Sequence, residues 1–167
     1  MWAKAGLKDI DTLAQMFFDT LKEKPSYVSH GEMQMGIANE KGIILEGAQE
    51  RWKDYIKKKI QNRSRQYPSK VLKYQRAGKI IAFGVFMVTD DDYHKFGIVC
   101  DMIVRKKFRK HGLGKQLLTQ GVDWFHSIGI EEIYLESGLL NHSAHQFYKH
   151  QGFSPISYVF KLTNPKF

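Results

Sequence analysis

The residues with the clearest chemical potential form a basic turn that contains two glycines and follows an apolar segment. In the stretch CDMIVRKKFRKHGLGKQLL, a strand-like run passes through Gly112 and Gly114 into a helical pattern. The first N–H groups of a helix lack partners within it and lie at the positive end of its dipole, so they attract anions. The basic residues around these glycines are Arg109, Lys110 and Lys115. The pattern predicts a pyrophosphate site, and a tight turn with a solvated basic rim is the alternative.

The turn differs from two common nucleotide-binding motifs. The chain contains no G-x-x-x-x-G-K-[ST], and G-x-G-x-x-G fails because Leu117 stands three residues after Gly114. The helical pattern that follows has one apolar face, formed by Leu117, Leu118, Val122 and Phe125. A strand, a glycine turn and an amphipathic helix therefore indicate an anion site of another type.

A second chemical candidate is a carboxylate within an apolar strand. Asp101 lies in the run IVCDMIV, where burial of a charge is costly unless the group is hydrogen-bonded or used in chemistry. Burial also raises the pKa of a carboxyl group and makes the carboxylate a better proton acceptor. We predict that Asp101 is a general base, with a structural hydrogen-bonding role as the alternative. Glu136, at the end of the next predicted strand, is the second candidate for the base.

The elements that must position these residues follow from hydrophobic periodicity. The spacing predicts an amphipathic helix with Asp9 as its N-cap, and a basic helix over residues 49–66 that Pro68 ends. Residues 25–48 lack a sustained period and read as a long loop with one helical turn. Later helices are predicted over residues 112–128 and 142–150. Strands are predicted over residues 71–74, 79–88, 96–104, 133–136 and 158–162.

Length and composition favour a single globular domain over residues 1–167. Antiparallel hairpins in the first half, followed by alternating strands and helices, imply a mixed sheet covered by helices. The 26 basic and 17 acidic residues give a net charge of +9, so the surface attracts polyanions such as nucleic acid, an acidic protein or a phosphorylated cofactor. We expect no metal site, for two reasons. Cys100 is the single cysteine, and the histidines of residues 142–150 are not accompanied by carboxylates at a spacing that binds zinc. No apolar run is long enough to cross a bilayer and no signal-peptide core is present, so we expect a cytoplasmic protein.

Two segments resemble a known family. Arg109-x-x-Gly112-x-Gly114, after its strand, is similar to the acetyl-CoA signature of the GNAT family of N-acetyltransferases, whose backbone amides bind the coenzyme pyrophosphate. The downstream sequence NHSAHQFYKHQGF resembles the second cofactor segment of that family. The resemblance implies an α/β fold of the α+β type, with a mixed, mostly antiparallel sheet of about six or seven strands flanked by about four helices. It also implies an acetyl-CoA-binding core in residues 96–153 and acceptor-binding elements mainly in residues 25–66.

Roles for individual residues follow from the same resemblance. The backbones of Met102, Ile103 and Val104 are expected to hold the pantetheine arm and the acetyl carbonyl, with ordinary strand pairing as the alternative. Tyr148 matches the family tyrosine that acts as a general acid toward the coenzyme sulfur, with core packing as the alternative. The remaining cofactor-binding residues are expected to be Arg109, Lys110, His111, Gly112, Leu113, Gly114, Lys115, Asn141, Ala144 and Phe147. Asn141 is also placed to cap the helix that follows it.

These expectations together indicate an N-acetyltransferase that moves the acetyl group of acetyl-CoA to a primary amine in a ternary complex. A covalent route through Cys100 is disfavoured, because no histidine is paired with it locally. We expect the acceptor to be a small-molecule or peptide amine. The candidates for binding it are Glu32, Glu46 and the acidic residues at 90–92. The acidic residues at 90–92 also suit a hairpin turn. The competing hypothesis is a non-catalytic acyl-CoA-binding module, or one that binds nucleic acid or an acidic partner through residues 57–65. Nucleic acid is the less favoured partner, because basic helical faces are usually only solvated. We expect a monomer or homodimer without membrane association.

Overall fold

Five strands form the sheet of the protein in this computed structural model, which describes residues 1–162. They are β1 (Trp2–Lys4), β2 (Ser69–Arg76), β3 (Lys79–Asp90), β4 (Lys95–Val104) and β5 (Ile133–Leu135). The strands lie side by side in chain order, and all neighbours are antiparallel except β4 and β5, which run parallel. Ala77 and Gly78 close the β2–β3 hairpin with positive φ angles of 48° and 74°, the geometry that suits a tight turn between twisted strands. The predicted mixed sheet is confirmed.

Helices cover both faces of this sheet. They are α1 (Ile10–Glu23), α2 (His30–Gln34), α3 (Ala48–Gln61), α4 (Leu113–Ser127) and α5 (His142–His150). On one face α1 and α3 pack together, and Phe17 stacks on Trp52 with ring centroids 4.8 Å apart. On the other face lies α4, where Phe125 meets Phe86 edge to face with centroids 6.1 Å apart. The α+β class that the family resemblance implies is confirmed, and β4, α4 and β5 form the predicted crossover unit.

The sheet has fewer strands than expected. Residues 1–162 contain five strands, so the count of about six or seven is too high. The predicted last strand over residues 158–162 is wrong, because these residues pair with no strand of the described chain. Tyr158, Val159 and Phe160 are 76%, 62% and 93% exposed. An apolar pattern describes the residues of a strand but does not provide a hydrogen-bonded neighbour, and here no neighbour is available.

Helix α3 is shorter than predicted. It ends at Gln61, well before Pro68, because the side chain of Asn62 competes for the backbone that would continue the helix. Asn62 accepts the Ser64 N–H at 2.7 Å and donates to the Tyr67 carbonyl at 2.8 Å. The helix therefore stops at a side-chain-bonded turn and not at the proline.

Asp9 does not cap α1 as predicted. Its Oδ2 accepts the Gly6 N–H at 2.7 Å, which closes a short 3-10 turn before the helix, and it also accepts a hydrogen bond of 2.7 Å from Lys73 Nζ on β2. Asp9 and Lys73 are 7% and 6% exposed. Burial by itself raises the pKa of Asp9, but the Gly6 N–H and the Lys73 ammonium outweigh it, so the pKa lies below its usual value. This buried ion pair ties the start of α1 to the sheet.

Lys73→Met is expected to lower the free energy of unfolding by about 3–5 kcal/mol, because it leaves the Asp9 carboxylate buried without its counter-ion. Chemical denaturation at neutral pH measures the change. The double variant Asp9→Leu with Lys73→Met is expected to recover much of the loss, since no charge then remains buried. In the wild type, the contribution of the pair is present above the unfolded pKa near 3.8 and is lost as pH falls through the lower folded pKa of Asp9. A single variant as stable as the wild type would contradict this role.

Candidate active site

The parallel strands β4 and β5 separate after a short pairing. They pair only over residues 97–99 and 133–135, whereas β4 continues to Val104 and stays paired with β3 on its other side. Beyond residue 99, no strand of the described chain pairs with the β5 side of β4. The segment that borders this opening includes the predicted carbonyl-binding residues Met102, Ile103 and Val104.

A bulge in β4 turns two consecutive side chains to the same face of the sheet. Asp101 pairs with Val85 and Val99 pairs with Phe86, so Cys100 has no partner on β3. Cys100 packs against the core beneath α1 and α3, which also contains Val85. Because directly paired residues share a face, Asp101 lies on this same face, next to the opening between β4 and β5.

Asp101 is a buried carboxyl group without a hydrogen-bonding partner. It is 9% exposed, and no group among residues 1–162 donates a hydrogen bond to its side chain. Burial and then the nearby Glu32 charge raise the pKa of Asp101 to about 8, while the Lys59 ammonium opposes the shift. The hydrogen bonds that a purely structural role would require are thus absent from the described residues. The environment is that of a proton acceptor at mildly alkaline pH.

Tyr148 on α5 shares this electrostatic environment. Burial, followed by the charges of Asp101 and Glu32, raises the pKa of Tyr148 to about 12. Its ring packs near Phe147 and Phe153, with centroids 5.3 and 6.1 Å away. Within residues 1–162 no group bonds to its hydroxyl. The ring therefore packs in the core, while the hydroxyl stays protonated across the neutral range and keeps its hydrogen for another partner.

The glycine turn presents a row of backbone N–H groups. Residues 110–115 donate no backbone N–H to any group of the described chain, and the first such bond of α4 runs from the Gln116 N–H to the Gly112 carbonyl. Lys110 and Gly112 have positive φ angles of 63° and 79°, and the space where a Gly112 side chain would begin is open. Unpaired amides at the start of a 15-residue helix form an anion-binding arrangement.

The basic residues of the turn divide between anchored and exposed positions. Arg109 donates to the Val104 carbonyl at 2.8 Å and pairs with Glu23 at 3.1 Å, so its guanidinium fixes the turn to the end of β4 and to α1. This anchoring makes Arg109 a structural part of the turn. The exposed polar members are Lys110, His111 and Lys115.

Helix α5 borders the other side of the turn. Asn141 accepts the Ala144 N–H at 3.3 Å, which is the capping geometry that the sequence predicts. A Cβ on Gly114 would stand 3.7 Å from the Phe147 ring, so the glycine lies directly against α5. Leu113 is buried at the start of α4. The two predicted cofactor segments therefore meet in space.

The Glu136 carboxylate holds the long segment between α1 and α3. It follows β5 directly, accepts the Gly31 N–H at 3.0 Å, and lies 3.6 Å from His30 Nδ1. Gly138 packs so closely on this segment that a side chain there would come within 2.4 Å of the Val28 carbonyl. This anchoring role weakens the alternative that Glu136 is the base.

Two residues of α3 belong to the site although the sequence pattern did not indicate it. Lys59 Nζ lies 5.4 Å from the centre of the Tyr55 ring, and the Tyr55 hydroxyl lies near the Cys100 thiol. Burial and, second, the charge of Asp101 raise the pKa of Tyr55 well above its usual value. In the sequence both positions are parts of an amphipathic basic helix, and only the packing of α3 on the sheet brings them near Asp101.

The basic face of α3 is partly engaged within the protein. Lys58 pairs with Asp54 at 2.7 Å, and Lys53 pairs with Asp11 at 2.7 Å. Part of the positive charge of α3 is therefore already paired within the protein. The binding of nucleic acid or an acidic partner through this helix stays a hypothesis.

In the described part of the chain, no group of three or more His, Cys, Asp or Glu side chains is arranged to hold a metal ion. None of the helices in residues 1–162 combines the length and the apolar character of a membrane span.

Comparison with known proteins connects this geometry to a family. The sequence model of the "Acetyltransferase (GNAT) family" matches residues 38–153, which is more than half of the chain. The chain belongs to the GNAT acetyltransferase family. Both GNAT motifs, the glycine turn and the segment that begins at Asn141, lie inside the matched region.

Solved structures share the GNAT fold of this chain at low sequence identity. A tetramutant of the BH1408 protein from Bacillus halodurans has a TM-score of 0.74 and 16% identity, covering 98% of this chain and 99% of that one. A predicted acetyltransferase with acetyl-CoA from Clostridium acetobutylicum has a TM-score of 0.69 and 19% identity, covering 98% and 95%. An aminoglycoside acetyltransferase, meta-AAC0020, from an uncultured soil metagenomic sample, in complex with trehalose, has a TM-score of 0.64 and 15% identity, covering 99% and 95%. No curated protein sequence gives a significant match.

Acetyl-CoA, which GNAT proteins bind, fits the groups present here. The unpaired amides of residues 110–115 suit a pyrophosphate, because backbone N–H groups at a helix start recognise phosphate oxygens. The opening beside residues 100–104 suits an extended arm, because an unpaired strand edge offers both donors and acceptors. The GNAT donor site is therefore consistent with these residues on physical grounds as well as by family.

Proposed function

We propose that the protein transfers the acetyl group of acetyl-CoA to a primary amine by direct attack in a ternary complex, with Asp101 as the general base. One observation carries this proposal. Asp101 is 9% exposed, has no hydrogen-bonding partner in residues 1–162, and lies at the opening where β4 leaves β5. Such a carboxyl group is costly to maintain in a fold unless it serves chemistry.

Asp101 would prepare the acceptor nitrogen for attack. A primary amine has a pKa of about 10, so it arrives as an ammonium ion and must lose a proton before it can attack. The bound ammonium lowers the pKa of the neighbouring carboxyl and thereby favours the carboxylate that accepts the proton. The nitrogen then forms its bond to the acetyl carbon as the carbon–sulfur bond breaks. Of the two protons that the ammonium loses, one leaves through Asp101 to water and the other ends on the departing sulfur.

Tyr148 would stabilise the departing sulfur. With a pKa of about 12, its hydroxyl is a weaker acid than a thiol, whose reference pKa is about 8.5. Complete proton transfer from tyrosine to sulfur is therefore unfavourable, whereas a hydrogen bond to the developing negative charge is favourable. We expect Tyr148 to act chiefly as a hydrogen-bond donor at this step.

Backbone groups would hold the donor. Acetyl-CoA supplies the activated thioester when it is bound. The backbones of Met102, Ile103 and Val104 would orient its arm and acetyl carbonyl along β4, and the amides of residues 110–115 would hold its pyrophosphate. Asn141, Ala144 and Phe147 border the same turn from α5.

The state of Cys100 favours direct transfer over a covalent intermediate. Burial raises the pKa of Cys100 to about 12, although the nearby Tyr55 hydroxyl acts in the opposite direction. Only the thiolate is an effective nucleophile, and a thiol with this pKa forms almost none at neutral pH. An acetylated Cys100 detected by mass spectrometry after reaction with acetyl-CoA alone would overturn this part of the proposal.

Gly112→Ala is expected to weaken coenzyme A binding by about tenfold or more, because the added side chain enters the open space in front of the amides. Isothermal calorimetry with coenzyme A measures the affinity. Gly129→Ala is a matched control, because Gly129 has a φ of +78° against +79° for Gly112, and nothing lies within 4 Å of either added side chain. Both substitutions should cost about 1–2 kcal/mol of stability through the left-handed backbone, but only Gly112→Ala should reduce binding. Equal coenzyme affinity in both variants would contradict the anion site.

Catalysis is tested by thiol release from acetyl-CoA in the presence of individual amines. The proposal expects thiol release that depends on both the amine and the protein, together with recovery of an N-acetylated product by mass spectrometry. If coenzyme A binds but no amine in a broad panel gives product, the non-catalytic acyl-CoA-binding alternative is preferred.

A further inference from the structure

The opening between β4 and β5 gathers acidic side chains in a protein that is strongly basic overall. The chain has 26 basic and 17 acidic residues, and three of the acidic ones, Glu32, Asp101 and Glu136, gather at this opening. Such a local excess opposes the overall charge, so the general composition of the surface does not account for it.

Hydrogen bonds and strand register fix these carboxylates relative to one another. The last β4–β5 pair is Val99 with Leu135, and Glu136 is the next residue on β5's side of the opening. Glu136 accepts the Gly31 N–H, which places the neighbouring Glu32 beside the same opening. The Oε2 atom of Glu32 accepts the N–H and the hydroxyl of Ser29, as part of the cap of α2. The other oxygen, Oε1, receives no hydrogen bond from the described residues.

The basic groups nearby do not neutralise Glu32 and Asp101. Lys59 Nζ contacts Met87 Sδ at 3.0 Å and lies over the Tyr55 ring, and it forms no ion pair within residues 1–162. His30 Nδ1 lies 3.6 Å from Glu136 Oε1, and within residues 1–162 His30 forms no ion pair with Glu32 or Asp101.

Asp101 is the independent sign that a ligand belongs here. Asp101 is 9% exposed as a residue, and its carboxyl group has no hydrogen-bonding partner in the described chain. The hydroxyl of Tyr148 on α5, which is close enough to Asp101 to be influenced by its charge, also has no partner in the described chain. Two neighbouring polar groups that are shielded from solvent and lack partners indicate a space that a polar ligand fills.

We infer that the acceptor is a primary amine that carries a second positive charge, and that Glu32 binds this second charge while the reacting nitrogen lies at Asp101. This inference rests on the proposed acetyl transfer and adds the class of acceptor. A monoamine would leave Glu32 without a counter-ion in a partly desolvated site, whereas a dication pairs with both carboxylates. Free diamines and peptides with adjacent basic residues share this chemistry.

The test compares acceptors that differ only in charge at the far end. Short linear diamines, monoamines of the same chain length and the corresponding ω-amino acids are assayed for kcat/KM by thiol release, with a basic peptide as a further arm. We expect diamines to exceed monoamines, and ω-amino acids to react least because their carboxylate meets Glu32. In Glu32→Gln, the ratio of kcat/KM for diamines to that for monoamines should fall by roughly 10–100-fold, because the accompanying fall in the pKa of Asp101 acts on both acceptors alike.

Controls separate a charge effect from damage to the loop. Glutamine keeps an oxygen that can accept from Ser29, so the cap of α2 is preserved, and Glu131→Gln is a matched change at an exposed site. Calorimetry of diamine binding without acetyl-CoA gives a second readout, in which Glu32→Gln should weaken binding. If Glu32→Gln fails to fold, the wild-type preference for diamines should still decline with added salt more steeply than the monoamine rate.

The outcomes distinguish the two proposals. Equal kcat/KM for diamines and monoamines, or an equal effect of Glu32→Gln on both, would overturn the acceptor class and leave acetyl transfer intact. Coenzyme A binding without acetylation of any amine would overturn the proposed function itself. A basic peptide preferred over every free diamine, with the same dependence on Glu32, would support the inference and identify the source of the second charge.

Discussion

Asp101→Asn is expected to lower kcat/KM for amine acetylation by about 10²–10⁴-fold, the range typical for loss of a general base. Asparagine keeps the shape of the side chain but cannot accept a proton. The pKa of about 8 sets the sign of the pH dependence, because the carboxyl group is neutral below this pH and ionised above it. Wild-type kcat/KM should therefore rise with pH through about 8. In the variant this limb should disappear, so that only the ionisation of the acceptor amine remains.

The control for this experiment is Asp123→Asn, a change at an exposed carboxylate on α4. It should leave both the rate and the pH profile unaltered. Because Asp101 has no hydrogen-bonding partner in the described chain, Asp101→Asn should not reduce stability or coenzyme affinity. A variant that retains the wild-type basic limb would rule out Asp101 as the base. A variant that loses stability but not the limb would establish a structural role.

Tyr148→Phe is expected to lower the rate of the chemical step by about 10²–10³-fold, as happens when one preorganised donor to a developing negative charge is removed. Phenylalanine retains the ring that packs near Phe147 and Phe153, so the affinity for acetyl-CoA should change little. Because the pKa of Tyr148 is about 12, its hydroxyl does not titrate in the neutral range and contributes no limb to the pH profile there. Single-turnover measurements are the suitable assay, since product release can otherwise conceal a change in chemistry.

Tyr93→Phe provides the comparison for a hydroxyl removed elsewhere, because Tyr93 is 94% exposed. It should match the wild type in both rate and binding. An unchanged single-turnover rate in Tyr148→Phe would eliminate the role of the hydroxyl at the sulfur. A parallel loss of rate and acetyl-CoA affinity would show instead that the residue acts mainly in binding.

Local patterns were sufficient for the geometry of the glycine turn. The turn, the strand before it and the amphipathic helix after it are contiguous in the chain, so spacing alone places an unpaired helix start at α4, whereas the phosphate ligand there is a prediction that the family resemblance favours. The cap at Asn141 is likewise a contact between near neighbours. The bounds of α5, His142–His150, agree with the predicted range for the same reason.

Predictions that depended on a distant partner were less accurate. Asp9 was expected to cap the next helix, but Lys73 on a remote strand binds its carboxylate together with the Gly6 N–H. Residues 158–162 have a strand-like composition but no neighbouring strand in the described chain. Their pattern therefore led to too high a number of strands in the sheet, because pairing is a property of two segments and not of one.

The sequence by itself determined the class of fold, the family and the position of the turn that suits a phosphate, because each of these is recorded in residues a few positions apart. Only the tertiary structure decided the chemistry beside that turn. The bulge at Cys100 shifts the register and brings Asp101 to the face of α3, where Lys59 and Tyr55 lie. The pKa of Asp101 then follows from burial and from Glu32, a residue remote in the chain. Burial and charge proximity arise from packing between separate elements, so no pattern within a single segment contains them.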